Sequence, residues 1–141
     1  MGIGGRVLNG LSLRVMSAVL VLVGSSACGG SVMLETDADA YEAGEPVELI
    51  LRNYGAVAVG YNLCLSSLER QEGTDFQRVE VMPSDAACPA DMKGLLLGQK
   101  ATFRFNETAE LSEGSYRFST RIEVRGRDER ISTEMFEIRL E

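Results

Sequence analysis

The feature that most restricts the fold of this chain is a persistent alternation of apolar and polar residues. In YRFSTRIEVR, residues 116–125, tyrosine, phenylalanine, threonine, isoleucine and valine alternate with arginine, serine, arginine, glutamate and arginine. Successive side chains point to opposite faces of a β-strand, whereas a helix repeats about every 3.6 residues. Shorter runs of the same kind occur at 46–53, 59–65, 76–82, 101–106 and 136–141. The sequence therefore predicts antiparallel sheets, each with one face in water.

The same alternation predicts the core and the connections between strands. Glycines at positions 44, 55, 73 and 114 lie in polar segments between the runs, where they suit tight turns. Regularly spaced strands joined by such turns are typical of a β-sandwich, and 141 residues suffice for one such domain. The residues predicted to face inward are Val47, Leu49, Leu51, Val59, Tyr61, Leu63, Leu65, Val79, Val81, Phe103, Phe105, Tyr116, Phe118, Thr120, Ile122, Val124, Phe136, Ile138 and Leu140.

The N-terminal segment has the pattern of an export signal. Arg6 and Arg14 are its only charged residues, and residues 15–23 form an apolar run. A helix of that length rises about 13–14 Å, well short of the roughly 30 Å hydrocarbon core of a bilayer. A basic start, a short apolar run and small residues after it indicate a cleaved signal peptide over residues 1–27.

The end of that signal, SSAC at residues 25–28, resembles the lipobox of bacterial lipoproteins. The resemblance implies that the Cys28 thiol receives a diacylglycerol and that the chain is cut just before it. Residues 28–31 would then be a lipidated cysteine with a short tether, and residues 32–141 the folded domain. The protein would be exported and membrane-anchored in the cell envelope, and Gly29 suits the outer membrane of a host with two membranes. An ordinary secretory signal cut after Ala27 is the alternative.

The charge balance narrows the class of partner. The formal net charge is −7, and removal of the signal with its two arginines leaves 12 basic and 21 acidic residues, a net charge of −9. Nucleic acid is therefore not expected as a partner, because phosphate binding requires clustered lysine and arginine. An acidic domain is also not drawn as a whole to anionic lipid, so the acyl chains at Cys28 are expected to hold it at the membrane.

Several motifs resemble those of bacterial immunoglobulin-like surface domains. TDADAYEAGEPVELILRN, residues 36–53, is similar to the first two strands of that family, where a tyrosine and a Gly-Glu pair precede a strand ending in asparagine. LSEGSYRFS, residues 111–119, resembles its penultimate strand, and YNLCLSSLER, residues 61–70, a central segment. The resemblance spans residues 32–141 and implies an all-β, immunoglobulin-like antiparallel β-sandwich. It places a tyrosine corner at Tyr116 and implies little about activity.

The two remaining cysteines, Cys64 and Cys88, form an even pair once Cys28 is set aside. Export into an oxidising compartment favours a disulfide between them. That bridge would fix the long segment between them against the central strand. Two free buried thiols are the alternative.

Catalytic, metal and cofactor sites are not predicted. The chain contains no histidine, which removes the commonest general base and a principal zinc ligand. Asp37 and Asp39 have the spacing of a calcium loop, but Tyr41 occupies the third ligand position, so a solvated turn is expected. Ser66 and Ser67 have no histidine to activate them. We therefore expect no catalytic residues, no metal ligands and no cofactor.

Three classes of function remain. The first is a non-catalytic, lipid-anchored envelope protein that binds another envelope protein or has a structural role. It would act through an exposed sheet edge or through loops gathered at one end. The alternative is a protease inhibitor, in which SDAACPAD, residues 84–91, would form a disulfide-tied exposed loop. An enzyme ranks last, because no nucleophile and base are paired in the sequence.

Overall fold

A computed structural model describes residues 31–81 and 88–141. The predicted signal peptide and Cys28 lie outside these described residues. The described chain contains eleven strands and one short 3₁₀ turn at Leu63–Leu65. The strands are β1 Val32–Thr36, β2 Ala40–Glu42, β3 Val47–Asn53, β4 Val59–Tyr61, β5 Ser67–Glu72, β6 Asp75–Val79, β7 Lys93–Leu95, β8 Lys100–Phe105, β9 Gly114–Val124, β10 Arg127–Ser132 and β11 Phe136–Arg139.

These strands form two sheets packed as a sandwich, which confirms the predicted fold class. The smaller sheet has the order β1-β3-β8, and the larger has the order β2-β11-β9-β4-β7. Strand β9 is the centre of the larger sheet, since β11 and β10 pair along one of its edges and β5 and β4 along the other. One pair departs from the predicted antiparallel arrangement, because β2 runs parallel to β11.

The core lies between the sheets and follows the predicted alternation. Val47, Leu49 and Leu51 of β3 are fully buried, and every second residue of β9 from Tyr116 to Ile122 is at most 2% exposed. Phe118 stacks on Phe136 with ring centroids 5.5 Å apart, and Phe105 meets Phe118 edge-to-face at 5.2 Å. Aromatic pairs of this kind add specific contacts to the burial of apolar area. Further predicted residues pack at the margin of this core: Tyr61, Val79, Val81, Phe103, Phe105 and Val124.

Two of the residues predicted to be inward are exposed. Leu65 is 58% exposed because the chain leaves β4 after Tyr61 and forms the 3₁₀ turn, which ends the alternation of faces. Leu140 is 56% exposed because β11 ends at Arg139 and no other described strand pairs with the chain beyond that residue. In both places the apolar pattern continues past the last ladder pair that fixes a side chain to the inner face.

The sandwich has two ends with different loops. Arg125 and Gly126 form a two-residue turn between β9 and β10, with φ of 53° and 73° respectively. A hairpin turn with positive φ at both residues matches the twist of the strands. This turn lies beside residues 55–57, which follow β3. The opposite end contains the β2–β3 turn, the segment 106–113 and the last residues of the chain.

Tyr116 makes the contact expected of a tyrosine corner. Its hydroxyl donates a hydrogen bond to the backbone carbonyl of Ser112 at 2.6 Å, while its ring is 1% exposed. This bond ties the segment before β9 to the first buried residue of that strand, as in other sandwich domains. Within the described ranges, no helix is long and apolar enough to cross a bilayer.

Candidate functional site

The predicted disulfide is present. Cys64 and Cys88 are bonded, with their Cα atoms 5.6 Å apart. Cys64 lies in the 3₁₀ turn between β4 and β5, and Cys88 precedes β7, which pairs with β4. The bond therefore closes the chain around the β5–β6 hairpin. Asn62 reinforces it by donating from Nδ2 to the carbonyls of Pro89 and Asp91.

Asn53, the last residue of β3, organises one end of the sandwich. Its side chain is fully buried, and Nδ2 donates to the carbonyls of Val57 and Leu95, each at 2.9 Å. Its Oδ1 accepts from the Gly55 amide at 2.9 Å. Its backbone pairs with Gly98 and Gln99, so one residue connects the β3–β4 loop to the β7–β8 turn. A buried amide with all these partners fixes both loops in one arrangement.

The described chain begins at this same end. The carbonyl of Ser31 accepts a hydrogen bond from the Tyr54 amide at 2.6 Å. A β-carbon at position 55 would lie 2.7 Å from Cβ of Ser31, so the close approach requires glycine there. We call the group formed by Ser31 and residues 54–58, 96–100 and 125–127 the loop end. An open cleft of about 590 Å³ separates Ser31 and residues 55–57 from Arg125 and Arg127.

A second surface runs along one side of the sandwich, where β1 and β10 are the outermost strands of their sheets. Among the strands of residues 31–81 and 88–141, β1 pairs only with β3, and β10 pairs only with β9. Between them lies a groove of about 630 Å³, which we call the edge groove. Its lining residues are Val32, Met33, Leu34, Glu35, Thr36, Ala38, Asp39, Ile131, Ser132, Glu134 and Met135. The floor is therefore largely apolar, and every charged residue in the lining is acidic.

The pairing of β1 with β3 determines which backbone groups face the edge groove. Because the Tyr54 amide bonds to the Ser31 carbonyl, Val32 and Asn53 form a non-hydrogen-bonded pair. The two pair types alternate along an antiparallel ladder, so the amide and carbonyl groups of Val32, Leu34 and Thr36 point away from β3. Strand β1 thus offers three consecutive outward positions to an additional strand.

Six glutamates lie at the end opposite the loop end. We call this group the acidic end, formed by Glu42, Glu45, Glu107, Glu110, Glu113 and Glu141. Glu42 shares a hydrogen bond with Glu141, and this contact together with the neighbouring negative charge raises the pKa of the Glu42 carboxyl. A shared proton between two carboxylates is the expected response to crowded negative charge.

Asp37, one of the two acids considered for calcium, has a structural role. Asp37 Oδ1 accepts hydrogen bonds from the Tyr41 hydroxyl at 2.6 Å and from the Glu48 amide at 2.9 Å. Burial of Tyr41 and its bond to Asp37 raise the pKa of the phenol to about 12. In residues 31–81 and 88–141, no three acidic or cysteine side chains come together as possible metal ligands.

Sequence reasoning missed the role of Asn53 and the separation of charge between the two ends. Asn53 was noted as a strand end, and the glycine two positions later was the available signal that its side chain closes a turn. The residues of the loop end come from four separate segments, so their proximity depends on the topology. Residues 84–87 of the segment considered for protease inhibition lie outside the described residues.

Comparisons with known proteins give no family assignment. No family model and no curated protein matches the chain. Among solved structures it is similar to the archaellum periplasmic stator protein FlaG from Sulfolobus acidocaldarius, at 17% identity and a TM-score of 0.42 over 74% of this chain and 99% of that one. It is also similar to Spo0M, a sporulation control protein from Bacillus subtilis, at 16% identity and a TM-score of 0.38. That likeness covers 79% of this chain and 49% of Spo0M.

Proposed function

We propose that this protein is a lipid-anchored, non-catalytic component of the bacterial cell envelope, whose immunoglobulin-like domain binds an extended segment of another envelope protein. The observation that carries this proposal is the free edge of β1 beside the edge groove. An added strand gains backbone hydrogen bonds from such an edge, and pockets for alternate side chains give it specificity.

The anchor in this proposal is Cys28, the cysteine of the lipobox-like SSAC. Cys28→Ser removes the acceptor of the diacylglycerol, so we expect the protein to leave the membrane fraction. Mass spectrometry of the mature N-terminus measures the modification directly. An unmodified Cys28 in membrane-extracted protein would refute the anchor while leaving the binding surface to be tested separately.

The binding surface in this proposal is β1, which would accept a fourth strand on the smaller sheet. The buried side chains of Val32 and Leu34 hold β1 in the core, while their backbone groups face outward. The groove beside them has apolar side chains at its floor, and Asp39 and Glu134 at its margin. This chemistry favours a segment that alternates apolar residues with lysine or arginine, because opposite charges steer and align the partner.

The experiment is site-specific photocrosslinking in intact envelopes of the native host. A photoreactive residue replaces Met33, which is 45% exposed in the edge groove, and a matched probe replaces Leu140, which is 56% exposed at the other end of the fold. We expect a discrete crosslinked protein from position 33 and none from position 140. Equal crosslinking from both positions would contradict a specific partner at the edge groove.

Variants of Thr36 test the strand-addition mode itself. Thr36→Pro removes an amide that points away from β3, so the β1–β3 ladder is retained while one edge donor is lost. Thr36→Val keeps that amide and removes only the hydroxyl. We expect the proline variant to lose the crosslink from position 33 and the valine variant to keep it, with similar thermal unfolding. An undiminished crosslink in the proline variant would exclude pairing at this edge.

A further inference from the structure

The loop end carries large apolar side chains in contact with solvent. Tyr54 is 58% exposed, Leu96 57% and Leu97 61%. Tyr54 belongs to the β3–β4 loop and the two leucines to the β7–β8 turn, and Asn53 ties these loops together through the Gly98 amide at 2.8 Å. The loops are thus held in place by a buried hydrogen-bond network while their tips present apolar surface.

The charges at these tips are opposite in sign to the net charge of the rest of the domain. Lys100, Arg125 and Arg127 lie within the segments of the loop end, which contain no aspartate or glutamate. The nearest acids are Glu123, Asp128 and Glu129. Glu129 lines the loop-end cleft beside Arg125 and Arg127, and Asp128 lies 3.7 Å from Arg121. The acidic end is at the far side of the sandwich. An apolar tip with basic residues around it is therefore set within an acidic domain.

Arg125 occupies a backbone position that disfavours it. Its φ of 53° lies in the left-handed region, where asparagine, aspartate and glycine are the usual residues of a two-residue hairpin turn. The turn requires positive φ at this position but does not require arginine. Retention of an arginine there, despite the strain, points to a function of its side chain. At this position that side chain is a guanidinium at the tip of the loop end.

The start of the described chain places the proposed anchor beside this surface. Ser31 is bonded to Tyr54, and Cys28 precedes Ser31 by three residues. Three residues span at most about 11 Å when fully extended. A lipid attached at Cys28 therefore keeps the loop end within about that distance of the bilayer.

We propose that the loop end docks on the anionic lipid surface in which Cys28 is anchored. Tyr54, Leu96 and Leu97 enter the headgroup region, and Arg125, Arg127 and Lys100 contact lipid phosphates. Aromatic and apolar side chains favour the bilayer interface, and basic residues near anionic lipid add to the attraction. Docking rests on the proposed anchor for its position and sets the orientation of the domain, with the acidic end pointing away from the membrane.

The absence of tryptophan from the chain allows a clean fluorescence test. Leu97→Trp places a single probe in the loop end, and Leu140→Trp places a matched probe of similar exposure at the opposite end. Each protein is purified from membranes, and its acylation is measured by mass spectrometry. It is then reconstituted in vesicles of phosphatidylethanolamine and phosphatidylglycerol that contain brominated acyl chains, which quench nearby tryptophan.

We expect the Leu97→Trp emission to shift to shorter wavelength and to be quenched, while Leu140→Trp keeps the emission of a water-exposed probe. Arg125→Asn in the Leu97→Trp background should reduce quenching while keeping or raising the melting temperature, because asparagine suits the left-handed turn. Equal quenching of the two probes, or no effect of Arg125→Asn on quenching, would overturn the docking.

The test separates failure of the docking from failure of the anchor. Acylated protein that floats with the vesicles but leaves the Leu97→Trp probe in water retains the anchor and refutes the docking. If the purified protein lacks acyl chains, the anchor is refuted, and the same variants are titrated with the same vesicles. Vesicle binding that buries only the Leu97→Trp probe then supports the docking, and absence of binding refutes it.

Discussion

Removal of the Asn53 side chain should destabilise the domain more than the small size of that side chain suggests. The amide makes three hydrogen bonds of 2.9 Å in a fully buried position. Asn53→Ala leaves the carbonyls of Val57 and Leu95 and the amide of Gly55 without this partner. At about 0.5–1.5 kcal/mol for each bond, the free energy of unfolding should fall by about 3 kcal/mol.

The change is measured by urea denaturation and by thermal unfolding. For a domain of this size, a loss of about 3 kcal/mol lowers the melting temperature by at least about 10 °C. Asn106→Ala is the matched control, because Asn106 is exposed at the opposite end and accepts one bond from Arg104. That variant should remain within about 0.5 kcal/mol of the parent protein. An Asn53→Ala protein as stable as Asn106→Ala would refute the assigned role of the buried amide.

Asn53→Asp tests the direction of the hydrogen bonds. The introduced carboxyl can still accept a hydrogen bond from the Gly55 amide. It also faces the two carbonyl oxygens that accept hydrogen bonds from Asn53 Nδ2 in the parent protein. Burial and these oxygens favour the protonated form, so the pKa of the introduced carboxyl is raised on folding. Its destabilising effect should therefore be small at about pH 3 and should grow as the pH rises above about 3.9, the unfolded value. A penalty that is equal at low and neutral pH would contradict this arrangement.

Three further outcomes follow from single contacts. Cys64→Ser opens the 24-residue disulfide loop and should lower the free energy of unfolding by about 3.5 kcal/mol, measured by urea denaturation against the oxidised protein. Tyr116→Phe removes the bond to the carbonyl four residues upstream and should cost about 1 kcal/mol, whereas Tyr54→Phe at an exposed ring should cost nothing measurable. Glu42→Gln should raise the melting temperature at pH 7 but not at about pH 3. The hydrogen bond to Glu141 raises the pKa of Glu42, so the folded state loses stability as rising pH ionises the Glu42 carboxyl.

The strands were predictable because their signal is local. Alternation in β3 and β9 identifies the buried face from adjacent residues, and the inward positions of Leu49 and Phe118 follow from it. The prediction was wrong where a ladder ends, as at Leu65 and Leu140, because the end of pairing depends on which strand lies alongside. Apolar pattern alone carries no information about that neighbour.

The disulfide and the tyrosine corner were also predictable, for different reasons. Cys64 and Cys88 were a pair by count and by the expected compartment, and Tyr116 was placed by resemblance to a known family. The role of Asn53 was not predictable in the same way. Two of its three side-chain partners are close in sequence. The third, Leu95, is 42 residues away and is brought near only by the packing of one sheet on the other.

The separation of charge follows from the topology in the same way. Strands that run between the two ends of a sandwich place alternate connections at opposite ends. Residues 96–100 and 125–127 therefore meet residues 54–58, while 43–46 meets 106–113. A net charge computed over the chain averages these two groups. The expectation that an acidic domain is not attracted to anionic lipid holds for the domain as a whole, yet it leaves out the basic tips of the loop end.

The two proposed surfaces constrain each other. Strand β1 starts at Val32, next to the tether, and runs from the loop end toward Thr36, about 13 Å farther along. If the loop end rests on the bilayer, β1 runs away from the lipid surface, and the whole of its free edge lies within about 20 Å of that surface. A long extended partner segment would then have to stand upright beside the membrane. The geometry therefore favours a partner that is itself membrane-anchored and that presents a basic, apolar segment close to its own anchor.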